Sequence, residues 1–231
     1  MPEEAPATLE ARLACGKWSV RAHAYRELAC AVFDAGERAA PAFDQFGVGG
    51  APEEPWAEWG EAAARALADA NVAALGEALA LAEQFAARAP LEAARALAEA
   101  GAPLVLAKGL AAPRLAARAQ ALLAVLVEAG GGPSVVPQLV GGMSHKVPKV
   151  AGLCAETVTS LLDAFGPGVV DPALVLPAAA AAFDSTLAPV RAAAVPLACA
   201  LVRRGGPPVR RAFDHLRAVQ ARDLPPPPPS Y

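Results

Sequence analysis

Few residues in this chain are spaced for covalent chemistry or metal binding. Its four cysteines form no CxxC pair, and none of its three histidines has a second histidine or a cysteine three or four positions away. The nucleotide-binding motifs GxGxxG and GxxxxGK[ST] are absent, as is the nucleophile motif GxSxG. We therefore predict a non-enzyme with no catalytic residue, no metal site and no cofactor. The residues concerned are Cys15, Cys30, Cys154, Cys199, His23, His145 and His215, and we expect the cysteines to be reduced and buried.

Composition narrows the class of protein further. The 231 residues carry a formal net charge of −3, which argues against a nucleic-acid or anionic-membrane partner. The most apolar stretch, 172–202, contains Asp184, Arg191 and several prolines, so we do not expect it to span a membrane. The acidic start, with Glu3, Glu4 and Glu10, does not resemble a signal peptide. Alanine dominates the chain and is the strongest helix former, which favours an all-α protein.

The apolar periodicity predicts pairs of helices separated by short breaks. We take Gly36 and Gly101 as helix ends, residues 37–53 as irregular, Gly130–Gly132 as a helix C-cap with a loop, and residues 205–208 as the end of the array. The predicted helices are 6–15, 18–34, 54–89 with a pause at 69–71, 90–99, 103–110, 114–128, 135–141, 149–165, 173–183, 190–204 and 209–224.

The breaks recur with a period of about 40 residues, at Asn71, Pro113, Pro148 and Pro189. A helix–turn–helix unit of this length is typical of a HEAT repeat, and HEAT repeats stack into an α-solenoid. We predict about five to six helix pairs over residues 6–224, followed by a proline-rich tail or linker at 225–231. Equivalent turns of a solenoid line one edge, and most of these turns carry a basic residue on a chain that is acidic overall. This pattern favours a large acidic protein as the partner.

The turn sequences resemble those of a TOG domain, the tubulin-binding HEAT module of the Dis1/chTOG family of microtubule polymerases. The resemblance is to the first TOG domain of such proteins and covers essentially residues 6–224. It begins with a Trp, an Arg and a Tyr-x-x-Leu one turn later, and four further motifs follow in the family's order. The segments that carry it are Gly16–Leu28, Asp69–Ala73, His145–Val150 with Leu161–Gly166, Phe183–Ser185 with Val190–Arg191, and Val219–Leu224.

This resemblance implies a function without covalent chemistry. A TOG domain holds a free, curved αβ-tubulin heterodimer along its turns, delivers it at the microtubule plus end and releases it as the lattice straightens. In the family, the Trp of the first turn contacts β-tubulin and basic residues of later turns contact α-tubulin. We accordingly expect an isolated domain that is monomeric, and a location in the cytoplasm on microtubules, at the spindle or at a microtubule-organising centre.

The resemblance assigns six residues to the tubulin contact and three to secondary or structural roles. The structural alternative for Trp18 is to cap the core of the first repeat. The alternative for Lys146 and Lys149 is to be solvated residues at the start of a helix. Asn71 has the alternative role of a helix N-cap. The contact residues are Lys17, Trp18, Asn71, Arg114, Lys146 and Lys149, and the structural ones are Arg21, Tyr25 and Arg191. Arg21 and Arg191 are expected to form internal contacts, Tyr25 and Leu28 to lie in the core, and Trp56 and Trp59 to pack in the core or under 37–53.

The chain departs from the family pattern at two turns. Ser19 follows Trp18 where a basic residue is usual, with Lys17 as a substitute, and residues 185–189 lack a basic residue altogether. We therefore expect weaker tubulin binding than in a domain with the full motif. The missing charge leaves open a second function, that of a generic HEAT or armadillo adaptor for another acidic protein. A degenerate enzyme or lipid carrier ranks last, because it needs a deep cavity that a closely packed alanine-rich solenoid disfavours.

Overall fold

The computed structural model describes residues 8–46, 56–214, 216 and 224, with only the backbone described at 38–46 and 207. Every regular element in these ranges is helical, and the chain divides into two compact units, Met1–Gly131 and Gly132–Tyr231. The ten α-helices of the described ranges are α1 (Leu9–Leu13), α2 (Trp18–Phe46), α3 (Trp56–Ala66), α4 (Val72–Arg88), α5 (Leu91–Leu104), α6 (Ala116–Leu126), α7 (Gly132–Gly142), α8 (Pro148–Phe165), α9 (Pro172–Phe183) and α10 (Ala188–Arg211).

The helices pair in sequence order, which confirms the all-α HEAT-type architecture. In the first unit α2 packs on α4 and α4 on α6, while α3 packs on α5. In the second unit α8 packs on α10 and α7 on α9. Each unit thus has one layer built from the first helices of its pairs and one layer built from the second helices. The described residues contain five pairs, at the lower end of the predicted five to six.

In each pair one short turn joins the two helices, which gives five turns in the described residues. We call them turn 1 (14–17), turn 2 (67–71), turn 3 (111–115), turn 4 (143–147) and turn 5 (184–187). Turns 1 to 3 belong to the first unit, and turns 4 and 5 to the second. The breaks predicted from Gly16, Asn71, Pro113, Pro148 and Pro189 fall at or beside these turns, so the predicted repeat is confirmed.

The predicted helix end at Gly36 is wrong, and so is the irregular segment where the structure describes it. Helix α2 continues through Gly36 to Phe46. A Cβ atom on Gly36 would lie 2.8 Å from side-chain carbons of Arg88 on α4. This glycine therefore allows α2 and α4 to approach closely and does not end the helix. Residues 47–53 of the predicted irregular segment lie outside the described ranges.

Two other predicted breaks also differ from the structure. Helix α5 runs through Gly101 and Pro103 and continues as a π-helical segment, Val105–Leu110, so the two short predicted helices are one. Gly101 is buried, and a Cβ atom on it would lie only 2.9 Å from Leu67 Cδ1. At the other end of the chain, the backbone leaves helical geometry at Gly206 (φ 66°) and helical residues resume up to Arg211. Of the predicted helix 209–224, residues 215 and 217–223 lie outside the described ranges, as does the tail 225–231.

Glycine ends the helices at two of the predicted places. Gly130 has φ 84° and closes the segment that follows α6, as predicted for the Gly130–Gly132 run. Gly166 has φ 75° and is the C-cap of α8. The left-handed region is accessible to glycine without steric cost, which explains why these helices stop where they do.

One apolar stretch, Ala116–Gly142, passes the length and hydropathy test for a membrane span. It is a different segment from 172–202. The chain leaves helical geometry at Ala129 and Gly130 within it, and half of its most apolar window is buried inside the protein. Its hydrophobicity is accounted for by core positions such as Leu122, Leu123 and Leu126.

Candidate functional site

Trp18 is the first residue of α2 and keeps 47% of its surface exposed. The carbonyl of Lys17 accepts the backbone N–H of Val20 (3.1 Å) and of Arg21 (3.2 Å), which fixes the start of the helix directly beside the indole. A large aromatic residue is rarely left in water without a use, because its transfer from water is favourable. The exposure of Trp18 agrees with a contact residue and not with a cap on the repeat's core.

Arg21, one turn further along α2, joins turn 1 to turn 2. Its Nη1 donates to the carbonyls of Cys15 (2.7 Å) and Gly16 (3.0 Å). Its Nε and Nη2 donate to the two carboxylate oxygens of Asp69, at 2.7 and 2.9 Å. Such a bidentate pair is among the strongest hydrogen-bonded arrangements available to side chains. The internal role predicted for Arg21 is confirmed.

The Asp69 carboxylate is buried and nevertheless charged. It also accepts the Tyr25 hydroxyl (3.0 Å) and the backbone N–H of Asn71 (2.8 Å). Burial by itself would raise the pKa of Asp69, but the hydrogen bonds from Arg21, Asn71 and Tyr25 outweigh it, so the pKa is lowered. Burial and the bond to Asp69 raise the pKa of Tyr25 to about 12, so its hydroxyl remains a donor at neutral pH. Tyr25 and Leu28 are buried, at 4% and 1% exposure, as predicted.

Asn71 has the N-cap role that the sequence left as its alternative. Its side-chain oxygen accepts the backbone N–H groups of Ala73 (2.9 Å) and Ala74 (3.2 Å) at the start of α4. The next residue, Val72, is 48% exposed. Turn 2 therefore presents an apolar side chain at the start of its second helix, as turn 1 does.

Turn 3 contributes one exposed arginine and a link to turn 2. Arg114 is exposed in the turn. Lys108, shortly before the turn, donates its Nζ to the carbonyl of Ala68 in turn 2. Turn 2 is thus bound by side-chain cations from both neighbouring pairs, by Arg21, which also binds turn 1, and by Lys108 in the helical segment that precedes turn 3.

Turn 4 presents two lysines on a rigid backbone. Lys146 and Lys149 are exposed, and neither side chain has a hydrogen bond or ion pair with any residue that the structure describes. The backbone N–H of Val147 donates to His145 Nδ1 (3.1 Å), and Pro148 begins α8. Val147 itself is 47% exposed. An uncompensated pair of positive charges beside an exposed apolar residue suits an acidic protein surface.

Turn 5 is closed by its own residues. The Ser185 Oγ accepts the backbone N–H of Leu187 (3.2 Å), and Arg191 Nη1 donates to the Ser185 carbonyl (2.7 Å). This bond is the internal contact expected of Arg191. The turn carries Asp184 and no basic residue, which agrees with the departure noted in the sequence.

Trp56 and Trp59 belong to the packing of the first unit. Trp56 is buried and meets Trp59 and Phe85 edge to face, with ring centroids 5.5 and 5.9 Å apart. Trp56 also lines an open groove of about 730 Å³ between α3 and α5, and five of the twelve lining residues are alanine. The groove brings together no set of titratable groups suited to catalysis.

The cysteines follow the prediction of burial at one position among the four. Cys154 is buried, and burial raises the pKa of its thiol to about 12. Cys30 is exposed on α2, and Cys15 and Cys199 are half-buried, so the prediction of buried residues is wrong at these three positions. Among the described residues, no three His, Cys, Asp or Glu side chains are grouped as metal ligands would be.

Sequence reasoning missed four residues that shape the turns. Val72 and Val147 were not singled out, although an apolar residue within a polar turn was a usable signal. Asp69 was noticed as part of a motif and not as the hub of hydrogen bonds. Lys108 gave no signal, because its partner is a backbone carbonyl 40 residues away.

Comparison with known proteins matches the chain to one family over nearly its whole length. The family model described as XMAP215/Dis1/CLASP, TOG domain, matches residues 5–226. The spindle pole body component alp14 of Schizosaccharomyces pombe is 29% identical over 222 residues, which are 94% of this chain and 26% of the yeast protein. The chain therefore spans about a quarter of the length of that relative.

Solved structures of TOG domains share the fold. A structure of microtubule polymerases with TOG domain arrays aligns with 93% of this chain and 44% of its own, at a TM-score of 0.76 and 18% identity. The third TOG domain of Drosophila melanogaster Mini spindles aligns with 97% of both chains, at a TM-score of 0.72 and 19% identity. Together with the family match, which covers all five turns, this likeness places the chain in the XMAP215/Dis1/CLASP family of TOG domains.

Proposed function

We propose that this chain binds the free, curved αβ-tubulin heterodimer through its turns and so contributes to microtubule plus-end polymerisation and microtubule organisation. The observation that carries the proposal is the exposure of Trp18, the first residue of α2, whose surface is 47% exposed. Arg21 binds the carbonyls of Cys15 and Gly16 in the turn that precedes it. Aromatic residues on a fixed backbone are typical hot spots of protein interfaces. The similar structures of microtubule polymerases concern tubulin recruitment and assembly, which supports this choice of partner.

The proposed contact has an apolar part and a charged part. Trp18 belongs to the first, and Val72 joins it as an addition from the structure. Arg114, Lys146 and Lys149 form the charged part, with Lys17 beside Trp18. Asn71 acts mainly by capping α4 and contributes to the contact through the position of turn 2. Tubulin is strongly acidic, so exposed cations speed its association and an aromatic anchor slows its release.

The role is one of binding, with no covalent step and no cofactor. Preference for curved over straight tubulin would let the domain deliver a subunit and release it once the lattice straightens. The relative alp14 is a spindle pole body component, which supports a location on cytoplasmic or spindle microtubules. One TOG domain engages one heterodimer, so high avidity requires further tubulin-binding domains in the same assembly.

Size-exclusion chromatography with unpolymerised αβ-tubulin tests the proposal. We expect a 1:1 complex that weakens as salt is raised and that Trp18→Glu abolishes, an effect of at least about thirtyfold on affinity. Phe33→Glu is the matched control, since Phe33 is a 42% exposed aromatic residue on the same helix outside the turns. A folded wild-type chain that forms no complex refutes the function. Equal loss in the two variants refutes the site.

A generic HEAT adaptor for another acidic protein is the second candidate, because turn 5 lacks a basic residue. It predicts no tubulin complex at micromolar concentrations and a different acidic partner in pull-downs. In that case Lys146→Glu would weaken capture of that partner.

A further inference from the structure

Asp69 lies at the meeting point of turns 1 and 2, out of reach of a binding partner. Its side chain is only 1% exposed, and its two oxygens accept four hydrogen bonds. Two come from the guanidinium of Arg21, one from the hydroxyl of Tyr25 and one from the backbone of Asn71. A buried carboxylate with this many donors is held in one position.

The donors connect Asp69 to residues next to Trp18 and Val72, the exposed apolar side chains that follow turns 1 and 2. Arg21 also binds the carbonyls of Cys15 and Gly16, in the turn that leads into Trp18. Asn71, whose N–H binds Asp69, caps α4 immediately before Val72. One carboxylate therefore ties the backbone before Trp18 to the backbone before Val72.

Each charge in this cluster stabilises the next, so the cluster has one arrangement at neutral pH. The hydrogen bond to Asp69 raises the pKa of Arg21, although burial alone would lower it. Tyr25 keeps its proton and Asp69 is ionised. Neither a change of protonation nor a rotamer change is available to the cluster without breaking hydrogen bonds.

The same two helices carry a second ion pair that lacks these connections. Arg26 on α2 donates to Glu77 on α4 at 2.7 Å, with side-chain exposures of 60% and 28%. This pair joins α2 to α4 and touches no turn backbone. It separates the effect of linking the helices from the effect of positioning the turns.

We propose that Asp69 is a positioning residue for the tubulin contact, holding turns 1 and 2 in one geometry so that Trp18 meets the partner. The inference rests on the proposed function. Because Asp69 is buried, its removal changes affinity through Trp18 and not through a lost contact of its own.

A double-mutant cycle tests this, with tubulin affinity measured for the wild type, Asp69→Asn, Trp18→Ala and the double variant. Asparagine keeps the shape of the side chain, removes its charge and places an amide donor in a site filled with donors. We expect Asp69→Asn to weaken binding about tenfold and Trp18→Ala about thirtyfold. The double variant should match Trp18→Ala within about twofold, because a misplaced Trp18 and a missing Trp18 lose the same contact.

Two controls separate positioning from a general loss of stability. Glu77→Gln breaks the Arg26 pair and should leave affinity within about twofold of the wild type. Leu97→Ala opens a cavity in the core on α5, and should lower the melting temperature without a matching loss of affinity.

Arg21→Lys is a second test variant of the Asp69 cluster, for use where Asp69→Asn does not fold. It keeps the positive charge and loses the fork that binds Asp69 and the turn carbonyls together.

Three results would overturn the inference while the proposed function stands. The first is wild-type affinity in Asp69→Asn or, if that variant does not fold, in Arg21→Lys. The second is a double variant in which the two losses of affinity add up. The third is a Leu97→Ala variant that loses as much affinity as the Asp69 or Arg21 variant at equal thermal destabilisation. A wild-type chain that does not bind tubulin overturns both proposals. The expected pattern is an affinity loss confined to variants of the Asp69 cluster and absent once Trp18 is gone.

Discussion

Arg21 and Arg191 occupy the same position in two turns but have different partners. Each is the fourth residue of the second helix of its pair, and each donates Nη1 to a carbonyl six residues earlier, at 2.7 Å in both cases. Arg21 continues to the buried Asp69, whereas the contact of Arg191 within the described residues is the Ser185 carbonyl. The shared bond closes a turn, and the additional bond joins one turn to the next.

This difference separates the two units by the way their turns are held. In the first unit, Arg21 links turns 1 and 2 and Lys108 binds turn 2 from the helical segment before turn 3, and the exposed apolar residues Trp18 and Val72 lie beside the Arg21 link. In the second unit, turns 4 and 5 are each closed locally, by His145 and by Ser185 with Arg191. Preorganised apolar contacts favour a slow release, while exposed charges favour a fast encounter. We expect the first unit to govern the former and turn 4 the latter.

Replacing Arg21 and Arg191 one at a time should give the largest difference, which is measured in the free energy of unfolding. Arg21→Ala leaves the buried Asp69 carboxylate without its cation and should lower the free energy of unfolding by about 3 kcal/mol. Arg191→Ala loses a hydrogen bond at an exposed site and should cost about 1 kcal/mol or less. Urea denaturation of both variants measures the difference. Equal losses would mean that the link between turns 1 and 2 adds no stability.

Reversing the charges of turn 4 sharpens the division between encounter and release. Lys146→Glu combined with Lys149→Glu should weaken tubulin binding by about thirtyfold, mainly by slowing association, and should flatten its dependence on salt. Stopped-flow kinetics at two salt concentrations is the measurement. Arg211→Glu, an exposed reversal outside the turns, is the control. A slower release with unchanged association would assign turn 4 the role we give to turn 1.

Acid should affect the Asp69 link selectively. The pKa of Asp69 is lower in the folded chain than its ordinary value of 3.8, so the ionised form stabilises the fold above that value. This contribution is lost as the pH falls below 3.8 through the folded-state pKa. The loss should be smaller than that of Arg21→Ala, because acid leaves the bonds from Arg21 to the Cys15 and Gly16 carbonyls in place. In unfolding curves between about pH 5 and about pH 2, Asp69→Asn should lack this component; a wild-type acid dependence in that variant would contradict it.

Adding a charge to turn 5 has the smallest expected effect. Thr186 is exposed in a turn that lacks a basic residue, so Thr186→Lys should raise tubulin affinity a fewfold, about 0.5–1 kcal/mol. Isothermal titration of this variant beside Thr186→Gln measures the charge alone. Unchanged affinity would show that turn 5 lies outside the contact.

Many helix ends could be located from the sequence because the residues at these ends act locally. Asn71 caps a helix, Pro148 begins one, and Gly166 has a positive φ that other residues rarely adopt. These are properties of a few adjacent residues, so they can be recognised without tertiary structure.

Other glycines misled the same reasoning because their cause is tertiary. Gly36 and Gly101 lie inside helices, where Arg88 and Leu67 occupy the space that a Cβ would need. Nothing in the neighbouring sequence distinguishes a glycine that ends a helix from one that admits a packed side chain. The extent of α2 and the continuity of α5 therefore required the structure.

The candidate site divides in the same way. The motif order predicted the exposure of Trp18 and the internal pairing of Arg21, since both follow from position in the repeat. The hub role of Asp69 and the bond from Lys108 to Ala68 join groups 40 or more residues apart, so they depended on the fold.

Hydrogen–deuterium exchange of the chain with and without unpolymerised αβ-tubulin tests the central claim most directly. The first amides of each second helix lack intrahelical acceptors and exchange quickly in the free chain, so protection there is easily measured. We predict that tubulin protects peptides covering residues 14–21, 67–75 and 143–150 and leaves 88–97 and 165–171, at the other ends of the pairs, unchanged. Protection of those other ends with exchange unaltered at the turns would contradict a tubulin contact through the turns.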